Sequence, residues 1–290
     1  MSKPVIGFIG LGAMGLPMAK NLVKANYRVL GLNRSKGKEQ RFKEAGGEVG
    51  YTLEEIVKEC DVLMTCLPFP EDVEKVILGE GGIVENGRAG QTIIDFSTVS
   101  PTLNRKVYEK AKEKQMRFLD APVSGGNWGA EAGTLSIMVG GDKEVFEEML
   151  PLFEVLGENI YHVGPCGSGS IVKLVNNLMV GFHTQAVAEA LNLGEKMGVK
   201  ADVLFEILNA SYAQSRVFER HYKNFISKNE FSPAGFAMKL LHKDLRIANE
   251  LAEEQNIPLP IGKQVADMLK QAVDAGHGDQ DMSALYLYLK

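Results

Sequence analysis

Val5-Ile6-Gly7-Phe8-Ile9-Gly10-Leu11-Gly12-Ala13-Met14-Gly15-Leu16-Pro17-Met18-Ala19 opens this chain of 290 residues and decides its fold. The first five residues form an apolar run short enough for a buried strand, and Gly15 to Ala25 carries the periodicity of an amphipathic helix. Between them lies a Gly-x-Gly-x-x-Gly turn. Gly10 permits the tight bend, Gly12 lets the backbone approach a pyrophosphate, Gly15 lets helix and strand pack, and the helix N-terminus supplies N–H donors. Such a pattern alone is weak. Placed between an N-terminal strand and the helix that follows, it reads as a dinucleotide site, with Gly10, Leu11, Gly12, Ala13 and Met14 as the contacts.

Working outward, short β-rich runs alternate with helical stretches through the first half. Strands are expected at 27–32, 62–66, 92–96, 117–121 and 135–139, and helices at 52–59, 101–115 and 143–156. Alternation of this kind predicts an α/β, Rossmann-type doubly wound sheet. Beyond about Gly164 the strand signal ends. A turn, Gly164-Pro165-Cys166-Gly167-Ser168-Gly169, leads into a helix expected from about Ile171 to Met197, roughly 40 Å long at the usual rise. Further helices are expected at 201–210, 238–255 and 261–275. The reading is therefore a dinucleotide-binding domain over 1–164 and an all-α domain over 165–290, to which the resemblance given below assigns the substrate and oligomerisation roles.

At the end of the second strand, where a carboxylate would hold the ribose 2′-hydroxyl of NAD, the chain has Asn33-Arg34-Ser35, then Lys36 and Lys38. No carboxylate appears before Glu39. A guanidinium pairs with a phosphate and a carboxylate repels one, which favours NADP over NAD. The competing reading has Arg34 stack on adenine and tolerate either cofactor. Leu67-Pro68 and Ser97-Thr98 follow later strands and are further candidate cofactor contacts.

Two constellations point to a substrate. Asp120-Ala121-Pro122-Val123-Ser124-Gly125-Gly126 runs from a strand end into a glycine turn, where Ser124, Gly125 and Gly126 make a donor set suited to a carboxylate. A plain strand-to-helix turn is the alternative. Lys173, Asn176 and Asn177 lie near the start of the long helix, with Lys173 and Asn177 on one face. A lysine within an apolar helix is costly unless used, and partial burial lowers a lysine's pKa toward the general-acid range; a solvated lysine at a helix end is the alternative. Lys239 and Lys243, four apart and of like charge, repel mildly unless an anion or Asp244 lies between them, and read as a solvated face.

Composition excludes other classes. Lys and Arg number 32 against 37 Asp and Glu, giving a net charge of −5, and both signs are mixed along the chain, so no nucleic-acid stripe exists. Cys60, Cys66 and Cys166 have neither disulfide nor metal spacing, and the five histidines are scattered, so no metal site is expected. No apolar run is long enough to span a bilayer, and nothing at the N-terminus resembles a signal peptide. The expected compartment is the cytoplasm.

Together, Phe8 to Ala19, Asp120 to Gly126, Gly169 to Asn177 and Lys243-Asp244-Leu245 resemble the β-hydroxyacid dehydrogenase family, which includes 3-hydroxyisobutyrate dehydrogenases, tartronate semialdehyde reductases and glyoxylate/succinic semialdehyde reductases. The resemblance spans essentially the whole chain. It implies hydride transfer between NADP(H) and a small carboxylate-bearing aldehyde or hydroxyacid, with Lys173 as general acid/base. It further implies that Ser124, Gly125 and Gly126 hold the carboxylate, that Asn177 orients the substrate, and that Thr98 and Lys243 close on the nicotinamide. A C-terminal domain like that of 6-phosphogluconate dehydrogenase and a homodimer or homotetramer are also implied. Trp128, the chain's single tryptophan, argues for a short substrate such as glyoxylate or a three- or four-carbon semialdehyde. An imine reductase of the same fold is a rival that Lys173 disfavours, and a non-catalytic nucleotide-binding module is another.

Overall fold

The protein is described by a computed structural model covering residues 3–290. Its strands are β1 (Ile6–Ile9), β2 (Val29–Leu32), β3 (Val62–Thr65), β4 (Thr92–Asp95), β5 (Arg117–Asp120), β6 (Val123–Ser124), β7 (Leu135–Gly141) and β8 (Gly157–Gly164). Interleaved with them are α1 (Gly15–Lys24), α2 (Lys36–Lys43), α3 (Leu53–Glu59), α4 (Pro70–Leu78), α5 (Ile83–Asn86), α6 (Pro101–Glu113), α7 (Gly126–Ala132) and α8 (Lys143–Leu156). Then follow only helices: α9 (Ser168–Lys196), α10 (Ala201–Asn209), α11 (Arg216–Asn224), α12 (Met238–Glu254), α13 (Pro260–Ala272) and α14 (Leu285–Tyr288). A mixed α/β sheet domain followed by a helical one is the expected fold class.

The strands form one sheet in the order β2-β1-β3-β4-β5-β7-β6, with β8 beside β7. From β2 to β5 every pairing is parallel, whereas β7 runs antiparallel to β5 and β6. The sequence reading lacked this antiparallel edge because the two-residue β6 is too short to carry a period. A parallel bridge from Glu48 to Leu30 marks one further position outside β2. Chain order reverses at β1, since β2 lies on one side of it and β3 on the other. That switch point is where ligands enter sheets of this type.

Alternation along the strands explains why they read as continuous apolar runs. Ile6, Phe8, Met64, Ile94 and Leu119 face one core with Met18, Leu22, Leu152 and Phe153 from α1 and α8. Leu63, Ile93 and Phe118 face the other, with Ile56, Val73, Ile77 and Val107 from α3, α4 and α6. Both faces are covered, as parallel sheets require.

Two compact units divide at Lys173/Leu174, inside α9, whereas the change of texture places the boundary at 164/165. The first turns of α9 belong with the sheet because hydrogen bonds described below hold them there. Within the second unit, Val187 and Leu191 of α9 pack with Phe218, Leu241, Leu245, Val265, Leu269 and Leu285. Among the described residues no helix is long and apolar enough to cross a membrane.

Candidate active site

Parallel register brings the carboxyl ends of five strands into one row. Ile9 pairs with Leu32 and Thr65, Thr65 with Asp95, and Asp95 with Asp120. The loops that follow carry Gly10–Met14, Asn33–Ser35, Leu67-Pro68 and Thr98, and past β5 the chain continues through β6 to Ser124–Gly126, so this end of the sheet collects most of the expected site residues. Neighbouring loops are tied together: the Leu67 N–H donates to Ser97 Oγ at 2.9 Å, and the Ser97 N–H donates to Asp95 Oδ1 at 3.0 Å.

The glycine turn fits its expected chemistry. Gly10 has φ +101°, and a Cβ there would lie 2.4 Å from the Cys66 carbonyl oxygen, so no other residue is accommodated. A Cβ on Gly15 would lie 1.9 Å from the Gly10 carbonyl oxygen. At Gly12 the same atom would meet nothing within 4 Å, which leaves open space beside the backbone for a pyrophosphate. Helix α1 starts without a side-chain cap; the Leu16 N–H is taken by the Gly12 carbonyl at 3.1 Å and Pro17 has none, so the donors left for an anion are those of the glycine turn and Gly15. The residues present therefore fit a dinucleotide.

At the ribose end, the Leu11 N–H donates to Asn33 Oδ1 at 2.9 Å, joining the glycine turn to the end of β2. Arg34 projects into solvent, its side chain 90% exposed, with Asp72 near at 3.7 Å. Ser35 stands at the N-cap of α2 without using its hydroxyl as a cap. Glu39 folds back from α2 and is buried; its carboxylate accepts the Asn33 N–H at 2.9 Å and the Lys36 ammonium at 3.1 Å.

Ser124 ends β6, and Gly125 and Gly126 both adopt positive φ at the start of α7. Two successive left-handed glycines are the conformational demand that a compact donor turn makes. Trp128 lies on α7, 49% exposed.

Lys173 is buried, 8% exposed, near the start of α9, in the unit that holds the glycine turn and Ser124–Gly126. Burial decides against the solvated-lysine alternative. The start of α9 is pinned by Asp120, a residue that pattern reading noticed without assigning a role. Its Oδ1 accepts the Gly167 N–H at 2.7 Å and its Oδ2 the Ser170 N–H at 2.9 Å. From α6, Asn104 Nδ2 donates to Ser170 Oγ at 2.6 Å. Burial pushes the Asp120 carboxyl up to about 6, although the two N–H donors oppose that rise. Gly169 allows the approach, since a Cβ there would lie 2.2 Å from the Met138 carbonyl oxygen.

One turn past Lys173, the Asn177 side chain is fixed at both ends. Its Nδ2 donates to Asp244 Oδ2 at 2.6 Å, and its Oδ1 accepts from Asn176 Nδ2 at 3.0 Å. Asp244 also pairs with Lys243 at 2.9 Å, and both are buried. The solvated-face reading thus holds for Lys239, which pairs with exposed Asp279, but not for Lys243. The sequence offers Asp244 only as a neighbour of Lys243, because its other partner, Asn177, lies far away in the chain. Sequence spacing gives no signal for such a contact.

Residues 5–164 match the NAD-binding domain of 6-phosphogluconate dehydrogenase, and residues 167–289 match the NAD-binding family of NADP-dependent 3-hydroxyisobutyrate dehydrogenase. The chain is 42% identical over 286 residues to 2-(hydroxymethyl)glutarate dehydrogenase of Eubacterium barkeri, covering 98% of this chain and 95% of that one. It is 36% identical to the NAD-dependent L-serine dehydrogenase of Pseudomonas aeruginosa, covering 97% and 96% respectively. The solved structure of Mycobacterium tuberculosis 3-hydroxyisobutyrate dehydrogenase with L-serine superposes with a TM-score of 0.89 at 33% identity, covering all of both chains. Glycine turn, buried lysine helix and whole-length similarity agree, and the chain belongs to the β-hydroxyacid dehydrogenase family of nicotinamide-dependent oxidoreductases.

Proposed function

We propose that this enzyme interconverts a β-hydroxyacid bearing a primary alcohol and the corresponding semialdehyde, with NADP(H) as the preferred cofactor and Lys173 as the proton-transfer group. The observation that carries the reading is the burial of Lys173 on a helix anchored to the sheet edge where the glycine turn and Ser124–Gly126 also lie. Bound nicotinamide supplies or accepts the hydride. The chain's own share is binding, orientation and proton transfer. Ser124 and the N–H groups of Gly125 and Gly126 hold the carboxylate, Lys173 Nζ protonates the carbonyl oxygen during reduction, and the same nitrogen takes the alcohol proton during oxidation. Asn177, whose amide is held by Asp244 and Asn176, is assigned the orienting of the substrate on the strength of the family resemblance.

The relatives' names support the substrate class, since 2-(hydroxymethyl)glutarate and L-serine share a hydroxymethyl group on the carbon that bears a carboxylate. Exposed Arg34 and the uncommitted Ser35 hydroxyl support NADP. The test follows loss of reduced-cofactor absorbance with NADPH and NADH in parallel, across glyoxylate and the succinic, methylmalonic and tartronic semialdehydes, and its gain with NADP+ and NAD+ on 2-(hydroxymethyl)glutarate and L-serine in the oxidative direction. Turnover of a β-semialdehyde with NADPH preferred is expected. Preference for glyoxylate would overturn the substrate class, and preference for NADH would overturn the cofactor assignment.

A further inference from the structure

Glu39 is 5% exposed on α2, and its carboxylate reaches back to the end of β2, where the outcome between NAD and NADP is decided. Its Oε1 accepts the N–H of Asn33, the residue before Arg34, at 2.9 Å. Both carboxylate oxygens also take the Lys36 ammonium at 3.1 Å. Asn33 in turn receives the Leu11 N–H from the glycine turn. The carboxylate that strand-end position lacks is thus returned to it from within α2.

We infer that Glu39 is a specificity-determining residue that holds down the preference for NADP over NAD, so that the enzyme accepts both. The inference rests on the assignment of Arg34 and Ser35 to the 2′-phosphate. Two effects act in the same direction. A buried negative charge bonded to the backbone beside Arg34 repels a phosphate there, and burial weakens solvent screening of that repulsion. The same charge engages Lys36, which would otherwise be a second cation for the phosphate. NAD, with a neutral 2′-hydroxyl, is indifferent to both.

The experiment measures kcat/KM for NADPH and NADH at saturating semialdehyde in the wild type, Glu39→Gln, Glu39→Asp and Arg34→Ala. Glutamine keeps an acceptor for the Asn33 N–H while removing the charge. Glu39→Gln is expected to raise the NADPH/NADH ratio by roughly three- to tenfold, mainly through a lower KM for NADPH. Glu39→Asp, still charged, is expected not to raise it. An unchanged or lower ratio in Glu39→Gln, or an equal rise in Glu39→Asp, overturns the inference. Arg34→Ala is expected to lower the ratio. If it does not, the phosphate assignment itself fails, a result distinct from failure of Glu39 alone. Should Glu39→Gln not fold, Lys36→Met exposes the same charge from the other side: the ratio is expected to fall, and no change or a rise overturns the inference.

Discussion

Replacing Asp120 by asparagine keeps one acceptor for the start of α9 but removes a buried charge, and the two effects have opposite signs. Asparagine offers a single oxygen, so either the Gly167 or the Ser170 N–H loses its partner, at about 1–3 kcal/mol for a buried donor. Against this, burial raises the carboxyl from 3.8 to about 6, a difference that corresponds to about 3 kcal/mol against the ionised form. Between those values the folded protein holds the proton and the unfolded chain has released it. Stability contributed by this group is therefore present at low pH and is lost as pH rises through that window. From pH 4 to pH 7 the wild type should lose about 2 kcal/mol relative to Asp120→Asn, seen as a Tm difference that shifts by roughly 4–8 °C toward the variant. Thermal melts of both proteins across that range are the assay, with turnover measured alongside at pH 7. There the variant should melt within a few degrees of the wild type yet turn over at least about tenfold more slowly, because Lys173 rides on the helix that has lost a cap bond. A melting difference independent of pH, or unchanged turnover, would refute the reasoning.

His221 carries the opposite sign. Burial pushes it down to about 3 from 6.5, so stability from this group is complete above 6.5 and is lost as pH falls toward 3; a His221→Gln variant should show a shallower acid-unfolding profile by circular dichroism. Asp244→Ala strips Asn177 of its carboxylate acceptor and breaks the buried ion pair with Lys243, which should cost about 3–5 kcal/mol in denaturant titrations and lower turnover at saturating substrate. On the second unit, Leu193, Met197, Val203 and Ile207 are exposed, which supports assembly of copies through α9 and α10. Sedimentation should give a dimer or tetramer, and Leu193→Glu with Ile207→Glu should yield a smaller species.

What was legible in the sequence was local. The glycine turn announced itself because three glycines, a strand and a helix are adjacent in the chain, and α8 was placed at Lys143–Leu156 because its apolar period is strong. Helix α9 was recognised but begins earlier than expected, at Ser168, since its first turn is held by Asp120 rather than by its own sequence. Helices α2, α4, α5, α7, α11 and α14 and strand β8 are absent from the expected elements; α2 is almost wholly polar and is read naturally as a charged loop. The contacts that orient the site are illegible for a related reason. Asp120, Asp244 and Glu39 each act through a partner chosen by folding, and only Glu39 has that partner nearby. Lys173 stood out because a lysine breaks an apolar helix, whereas a buried aspartate at a strand end resembles any turn residue.

The central claim is that Lys173 moves the proton, and the most direct measurement is steady-state turnover of Lys173→Ala together with its affinity for NADPH. Turnover reduced by at least about 100-fold, with the NADPH dissociation constant within about twofold of wild type, is expected for a proton-transfer group outside the dinucleotide site. Near-normal turnover with intact NADPH binding would contradict it and return the burial of Lys173 to a structural role.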